Sequence, residues 1–154
     1  MDRLFMAIAS GFGLGYLPKA PGTWGTLLAF PVHYLLIRLP PQYYALGLFA
    51  IFVAAVLSAG AAEKILDYKD PGLVVIDEVI GMLITLIGAP STAYVWLTGF
   101  ILFRFFDIVK PFPIRLIDQR INGGIGIVLD DVLAGIYSLI LLQILCRLFP
   151  VISQ

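Results

Sequence analysis

Residues 123–149 read GGIGIVLDDVLAGIYSLILLQILCRLF: a glycine-rich turn, two adjacent acids, then an 18-residue, largely apolar run over 132–149. A run of that length is a membrane-helix candidate, because a helix satisfies its own backbone hydrogen bonds inside hydrocarbon. The anomaly is the pair Asp130 and Asp131 at its start. A helix dipole favours carboxylates at an N-terminus. It does not require two of them against hydrocarbon, where an unpaired charge is costly and marks a functional site.

The rest of the chain repeats this combination. It has 154 residues, 60% hydrophobic and only 13% charged, with a mean hydropathy of +0.99. That is outside the range of soluble globular proteins, so an all-α integral membrane protein is expected. Four more apolar runs lie at 26–39, 43–62, 79–89 and 92–106. A straight span needs about 20 residues, so the third and fourth of these must recruit their polar flanks at 73–78 and 104–107. The uncharged turns at 40–42 and 90–91 are short enough to join antiparallel helices. One domain over 1–154 is predicted: a compact bundle of four to five transmembrane or half-spanning helices with a re-entrant or interfacial N-terminal loop. The apolar stretch at 4–9 is too short for a signal-peptide core, so no cleaved segment is expected.

Several function classes drop out. Zero net charge without a basic stripe removes nucleic-acid binding, and no obligate protein partner is evident. The single cysteine, Cys146, sits in an apolar run and supports neither a disulfide framework nor a Cys-rich metal site. His33 is the only histidine, too few for a histidine nucleophile with a histidine acid, and is read as a packing or hydrogen-bonding residue.

Eight of the ten acids fall between Asp67 and Asp131. Placing the short turns on one side of the bundle gathers segments 11–25, 63–78 and 104–131 on the other, with eight of the ten Lys and Arg residues. By the positive-inside rule that charged side is cytoplasmic. Each segment carries chemistry. In 11–25, GFGLGYLPKAPGTWG, the Gly and Pro density forbids a plain helix. Glycine backbone with Lys19 and Thr23 has the physics of a phosphate-binding loop; a re-entrant loop anchored by Trp24 is the equally weighted and compatible reading. In 70–81, DPGLVVIDEVIG, Asp70 suits a turn or cap, while Asp77 and Glu78 enter an apolar helix about 100° apart, with Gly81 leaving room for a neighbour or a ligand oxygen. In 103–113, FRFFDIVKPFP, Arg104, Asp107 and Lys110 make a cation, anion, cation ladder at i, i+3 spacing. Asp67 and Asp118 read as surface acids. Five acids remain, from three helices, and a hard divalent cation, Mg²⁺, is their simplest neutraliser beside a phosphate.

The ordered set of Pro21-Gly-Thr-Trp-Gly25, Asp70-Pro-x5-Asp77-Glu78-x2-Gly81, Phe103-Arg-x2-Asp107-x2-Lys110-Pro-x-Pro113 and Gly123-Gly-x-Gly-x3-Asp130-Asp131-x3-Gly135 closely resembles the phosphatidylglycerophosphatase A family. Thr26 is the one departure, where a small residue such as serine fits the pattern. The resemblance covers nearly the whole chain and implies a bacterial inner-membrane, multi-pass, Mg²⁺-dependent enzyme of phospholipid biosynthesis. Its substrate would be phosphatidylglycerophosphate and its product phosphatidylglycerol.

On that reading Asp77, Glu78, Asp130 and Asp131 hold one or two Mg²⁺ ions and serve catalysis with Asp107, which orients the water or the arginine. Lys19, Thr23, Arg104 and Lys110 bind the substrate phosphate. Direct attack by water is favoured over a phospho-aspartate, since no acid stands apart from the metal set. The alternative is an ion or metal transporter using the same intramembrane acids; the missing inverted repeat and the gathering of acids at one interface count against it. The threading places the C-terminus opposite the charged face. A reporter fused after Gln154 should therefore read as periplasmic, and a cytoplasmic signal would overturn the orientation.

Overall fold

Proline and glycine set the helix limits that hydropathy leaves open. The computed structural model describes residues 1–149, and among them all regular structure is helical. The order is α1 (Asp2–Ala9), a 3-10 turn (Leu14–Tyr16), α2 (Pro21–Leu36), α3 (Pro41–Leu66), α4 (Ile76–Thr85), α5 (Ala93–Val109), α6 (Ile114–Arg120) and α7 (Gly124–Leu148). Prolines open α2 and α3, where a missing N–H removes no intrahelical bond. Thr92 caps α5 by accepting a hydrogen bond from Val95 N at 3.4 Å.

Segment 11–25 corrects the expectation of an irregular loop throughout. Up to Ala20 its one regular piece is the 3-10 turn at Leu14–Tyr16, but 21–25 forms the start of α2. Its glycines mark close approach instead of a loop. A Cβ at Gly25 would stand 2.7 Å from the Val75 carbonyl oxygen, and one at Gly22 would collide with the Glu78 carboxylate. The flank at 73–78 is likewise only partly recruited, since α4 begins at Ile76; the stretch ahead of it is tied to α1 by Val75 N donating to Ala9 O at 2.8 Å.

Among the described residues, helices α3 and α7, of 26 and 25 residues, are the two long and apolar enough to cross a membrane. Helix α7 packs against α3, α4, α5 and α6, and α4 is held between α2 and α7. Eight of the ten α4 residues are buried. A helix enclosed on all sides points its acids into protein, so the α4 carboxylates face neighbouring helices. Leu39 and Pro41 share a pocket with Gly88 and Ser91, while Glu63, Asp70, Asp118 and Gly123 line one small cavity at the other end of α3. The uncharged turns and the charged segments thus gather at opposite ends.

The α4 to α7 crossing sets the register between acids on the two helices. A Cβ on Gly135 would collide with the Gly81 carbonyl oxygen, and Thr85 Oγ1 donates to Gly81 O at 3.0 Å. Small residues at a crossing let backbones meet closely. Gly81 therefore admits a helix and the Phe103 ring, not a ligand. Gly135→Val should overpack this contact and cost about 1–3 kcal/mol, read as a lower unfolding midpoint in detergent.

Candidate active site

The site is built where α2, α4, α5 and α7 meet at the charged end. Asp77 and Glu78 are the second and third residues of α4, and Asp131 reaches them from α7. One carboxylate oxygen from each lies within 4.8 Å of the others. Asp77 is 7% and Asp131 3% exposed. Asp77 Oδ1 and Glu78 Oε2 are buried without a hydrogen-bond partner among the described residues.

Arg104, on α5, is the cation nearest this trio. Its Nη1 donates to Asp107 Oδ2 at 2.9 Å, lies 3.9 Å from Glu78 Oε1, and meets Thr26 Oγ1 at 3.4 Å. Thr26 in turn donates to Gly22 O at 2.8 Å. The guanidinium is therefore fixed from two helices, with Asp107 orienting it. Sequence reasoning singled out Arg104 and Asp107 but missed Thr26 and Gly22. The glycines of 21–25 were a signal for close approach, yet nothing local said what approaches.

Lys110 departs from the expected ladder. It caps α5 in the left-handed conformation, at φ 45°, which carries its side chain off the helical face of Arg104 and Asp107. Its Nζ donates to Asp130 Oδ2 at 2.6 Å and to Asp118 Oδ1 at 2.9 Å. Burial alone would lower the pKa of this ammonium, but the hydrogen bonds and charges of Asp130 and Asp118 outweigh it and hold the pKa above its ordinary value. Asp118 is thus an ion-paired neighbour of the site and not a plain surface acid. Asp130 and Asp131 are not at the dipole end of their helix either, because α7 starts at Gly124. Their burial therefore is not compensated by the helix N-terminus, and Lys110 supplies the compensation for Asp130.

Lys19 is exposed and Thr23 half-buried; neither joins the network of Arg104 and Lys110. The Lys19 carbonyl accepts a hydrogen bond from Trp24 Nε1 at 3.1 Å. Asp70 occupies a turn at φ 48°, as read from sequence, and not a helix cap. His33 packs edge-on against Trp96 and Tyr44, with no hydrogen bond to either ring nitrogen from the described residues.

The donor set fits Mg²⁺. Asp107 is paired with Arg104, and Asp130 and Asp118 share Lys110, so Asp77, Glu78 and Asp131 retain only a distant share of one guanidinium. Three close, oxygen-only donors, two buried and Glu78 half-buried, with unpartnered oxygens on Asp77 and Glu78, match a hard divalent cation.

What this frame and centre define together is a class, an all-helical, membrane-associated enzyme. The chain belongs to the phosphatidylglycerophosphatase A family, whose sequence model matches residues 7–146. It is 40% identical over 139 residues to the phosphatidylglycerophosphatase A of Escherichia coli K12, covering 90% of this chain and 81% of that protein. It is 42% identical over 139 residues to the Haemophilus influenzae protein of the same name, covering 86% and 83%. A Bacteroides thetaiotaomicron protein, provisionally named a phosphatidylinositol-3-phosphatase, is 42% identical over 144 residues, covering 89% and 90%. No solved structure matches the chain significantly.

The Lys110 pairings have a measurable consequence. Lys110→Met strands Asp130, whose side chain is 8% exposed, and should cost about 1–3 kcal/mol. Asp118→Asn, at a side chain 34% exposed, should cost less than about 1 kcal/mol. Denaturant midpoints of the two variants check the order.

Proposed function

We propose that this chain is a multi-pass inner-membrane, Mg²⁺-dependent lipid phosphatase that hydrolyses the terminal phosphomonoester of phosphatidylglycerophosphate, with its charged face in the cytoplasm. The observation that carries the reading is the close trio of Asp77, Glu78 and Asp131, two of them buried and Glu78 half-buried, beside a braced Arg104. Family membership and the names of its relatives supply the substrate.

Asp77, Glu78 and Asp131 would hold Mg²⁺, with Asp130 beside them on α7. Bound there, the ion would polarise the phosphoryl group and acidify a water. The chain's own residues do the rest. Arg104, held by Asp107 and Thr26, presents its guanidinium to the phosphoryl oxygens without reorganising during the reaction. Lys110 adds a second cation and pairs with Asp130 in its buried position. Water attacks phosphorus, the P–O ester bond breaks, the glycerol oxygen takes up a proton, and inorganic phosphate leaves. The enclosed helices exclude bulk water, which strengthens each of these charge contacts.

Purified protein should release phosphate from phosphatidylglycerophosphate, lose that activity with a chelator and regain it with Mg²⁺. Asp77→Asn, Asp131→Asn and Asp130→Asn should each lose at least about 100-fold in kcat. Full activity in all three would sink the carboxylate and metal reading. Comparing rates on phosphatidylglycerophosphate, phosphatidate and phosphatidylinositol 3-phosphate tests the choice of lipid, which the name of the Bacteroides relative makes necessary.

A further inference from the structure

Beside the carboxylate centre, on the far side of Lys110, lies a cleft of about 460 Å³ that the proposed chemistry leaves unused. Its polar lining is Lys110, Arg115 and Gln119, and its apolar lining is Val109, Phe112 and Leu116. Lys110 belongs to both places, since its ammonium also touches Asp130. Arg115 differs from the other cations here. Arg104 and Lys110 are ion-paired, whereas among the described residues Arg115 has no ion-pair or hydrogen-bond partner.

The apolar side of the cleft continues outward. Val109 is 54% and Phe112 78% exposed, a large apolar surface next to a free guanidinium. Tyr137 Oη donates to the Phe112 carbonyl at 3.2 Å and stacks edge-on with Phe106 at 5.6 Å between ring centroids. Phe106 and Tyr137 also begin a second, almost wholly apolar groove of about 270 Å³, which runs along α7 past Ile140 to Ile144. A charged cleft, tied to the carboxylate centre through Lys110, therefore lies beside a hydrocarbon groove. A soluble anion has no use for the groove, and a bare acyl chain has none for Arg115.

We propose that the cleft at Lys110, Arg115 and Gln119 is a subsite for the phosphodiester of a phospholipid, with an acyl chain leaving along the groove between α5 and α7. This rests on the lipid-phosphatase reading above and deepens it. Arg115 presents a planar fork of donors matched to a phosphodiester. Gln119, one turn further along α6, offers an amide donor to the same group. Lys110 stands between the diester subsite and the centre where the monoester reacts. The subsite thus recognises a lipid carrying two phosphates over one carrying a single terminal phosphate.

The test uses the full-length protein in detergent micelles and two substrates, phosphatidylglycerophosphate, which has a diester, and phosphatidate, which has none. The preference for the first, read as the ratio of kcat/KM values, should fall about tenfold in Arg115→Gln through a higher KM, and Arg115→Lys should restore it only in part, since an ammonium returns the charge without the fork. A ratio unchanged by Arg115→Gln overturns the subsite. Binding of a fluorescent phosphatidylglycerol, which keeps the diester and lacks the monoester, reads the cleft without turnover. Anisotropy should show it held about tenfold more weakly by Arg115→Gln. Binding that depends on Arg115 in a protein unable to release phosphate would sink the reaction and keep the subsite. Phosphate release with binding indifferent to Arg115 would do the reverse.

Discussion

A carboxylate taken out of water costs several kcal/mol unless something nearby repays it, and this protein brings three within reach of one another inside a helical bundle. The rest of the structure answers to that constraint. Helix α4, enclosed on nearly every side, cannot turn Asp77 and Glu78 toward water. Asp131 comes from the helix that packs against it. Two oxygens of this group are left without protein partners, and the nearest guanidinium nitrogen stands 3.9 Å from Glu78. Such a cluster stores demand for positive charge, which a divalent cation and a phosphate-binding arginine meet together.

Close backbone contact makes the cluster geometrically possible. Carboxylates on separate helices converge only if those helices approach nearer than ordinary side chains allow. Gly81 against Gly135 provides this between α4 and α7, and Gly22 provides it between α2 and the Glu78 carboxylate. The same closeness lets Thr26 reach Arg104 across 78 positions of sequence. Glycines that look like loop punctuation in the chain are, in the fold, contact surfaces inside helices.

The helical class, the positions of the buried acids and the pairing of Arg104 with Asp107 were legible because each depends on spacing along one element. An i, i+3 pair on a helix meets whatever the rest of the chain does. Lys110 has the same spacing from Asp107 and does not continue the face, since the left-handed cap at its own backbone redirects it. Asp118 gave no local sign of its role, because its partner lies across the α5 to α6 turn. Asp130 and Asp131, identical neighbours in sequence, were read as equivalent. In the fold one meets Lys110 and the other meets Asp77 and Glu78, since adjacent residues point about 100° apart on a helix.

By itself, the sequence determined that this is an apolar helical protein with acids embedded at the ends of its apolar runs, since hydropathy and helical period are properties of single segments. It also carried the four ordered motifs that mark the phosphatidylglycerophosphatase A family. Only the tertiary structure decided which acids share one point, which are neutralised by Lys110, and which glycines bring the helices that close. Those outcomes depend on interhelical distance and rotation, set by packing between segments far apart in the chain, and no single segment encodes them.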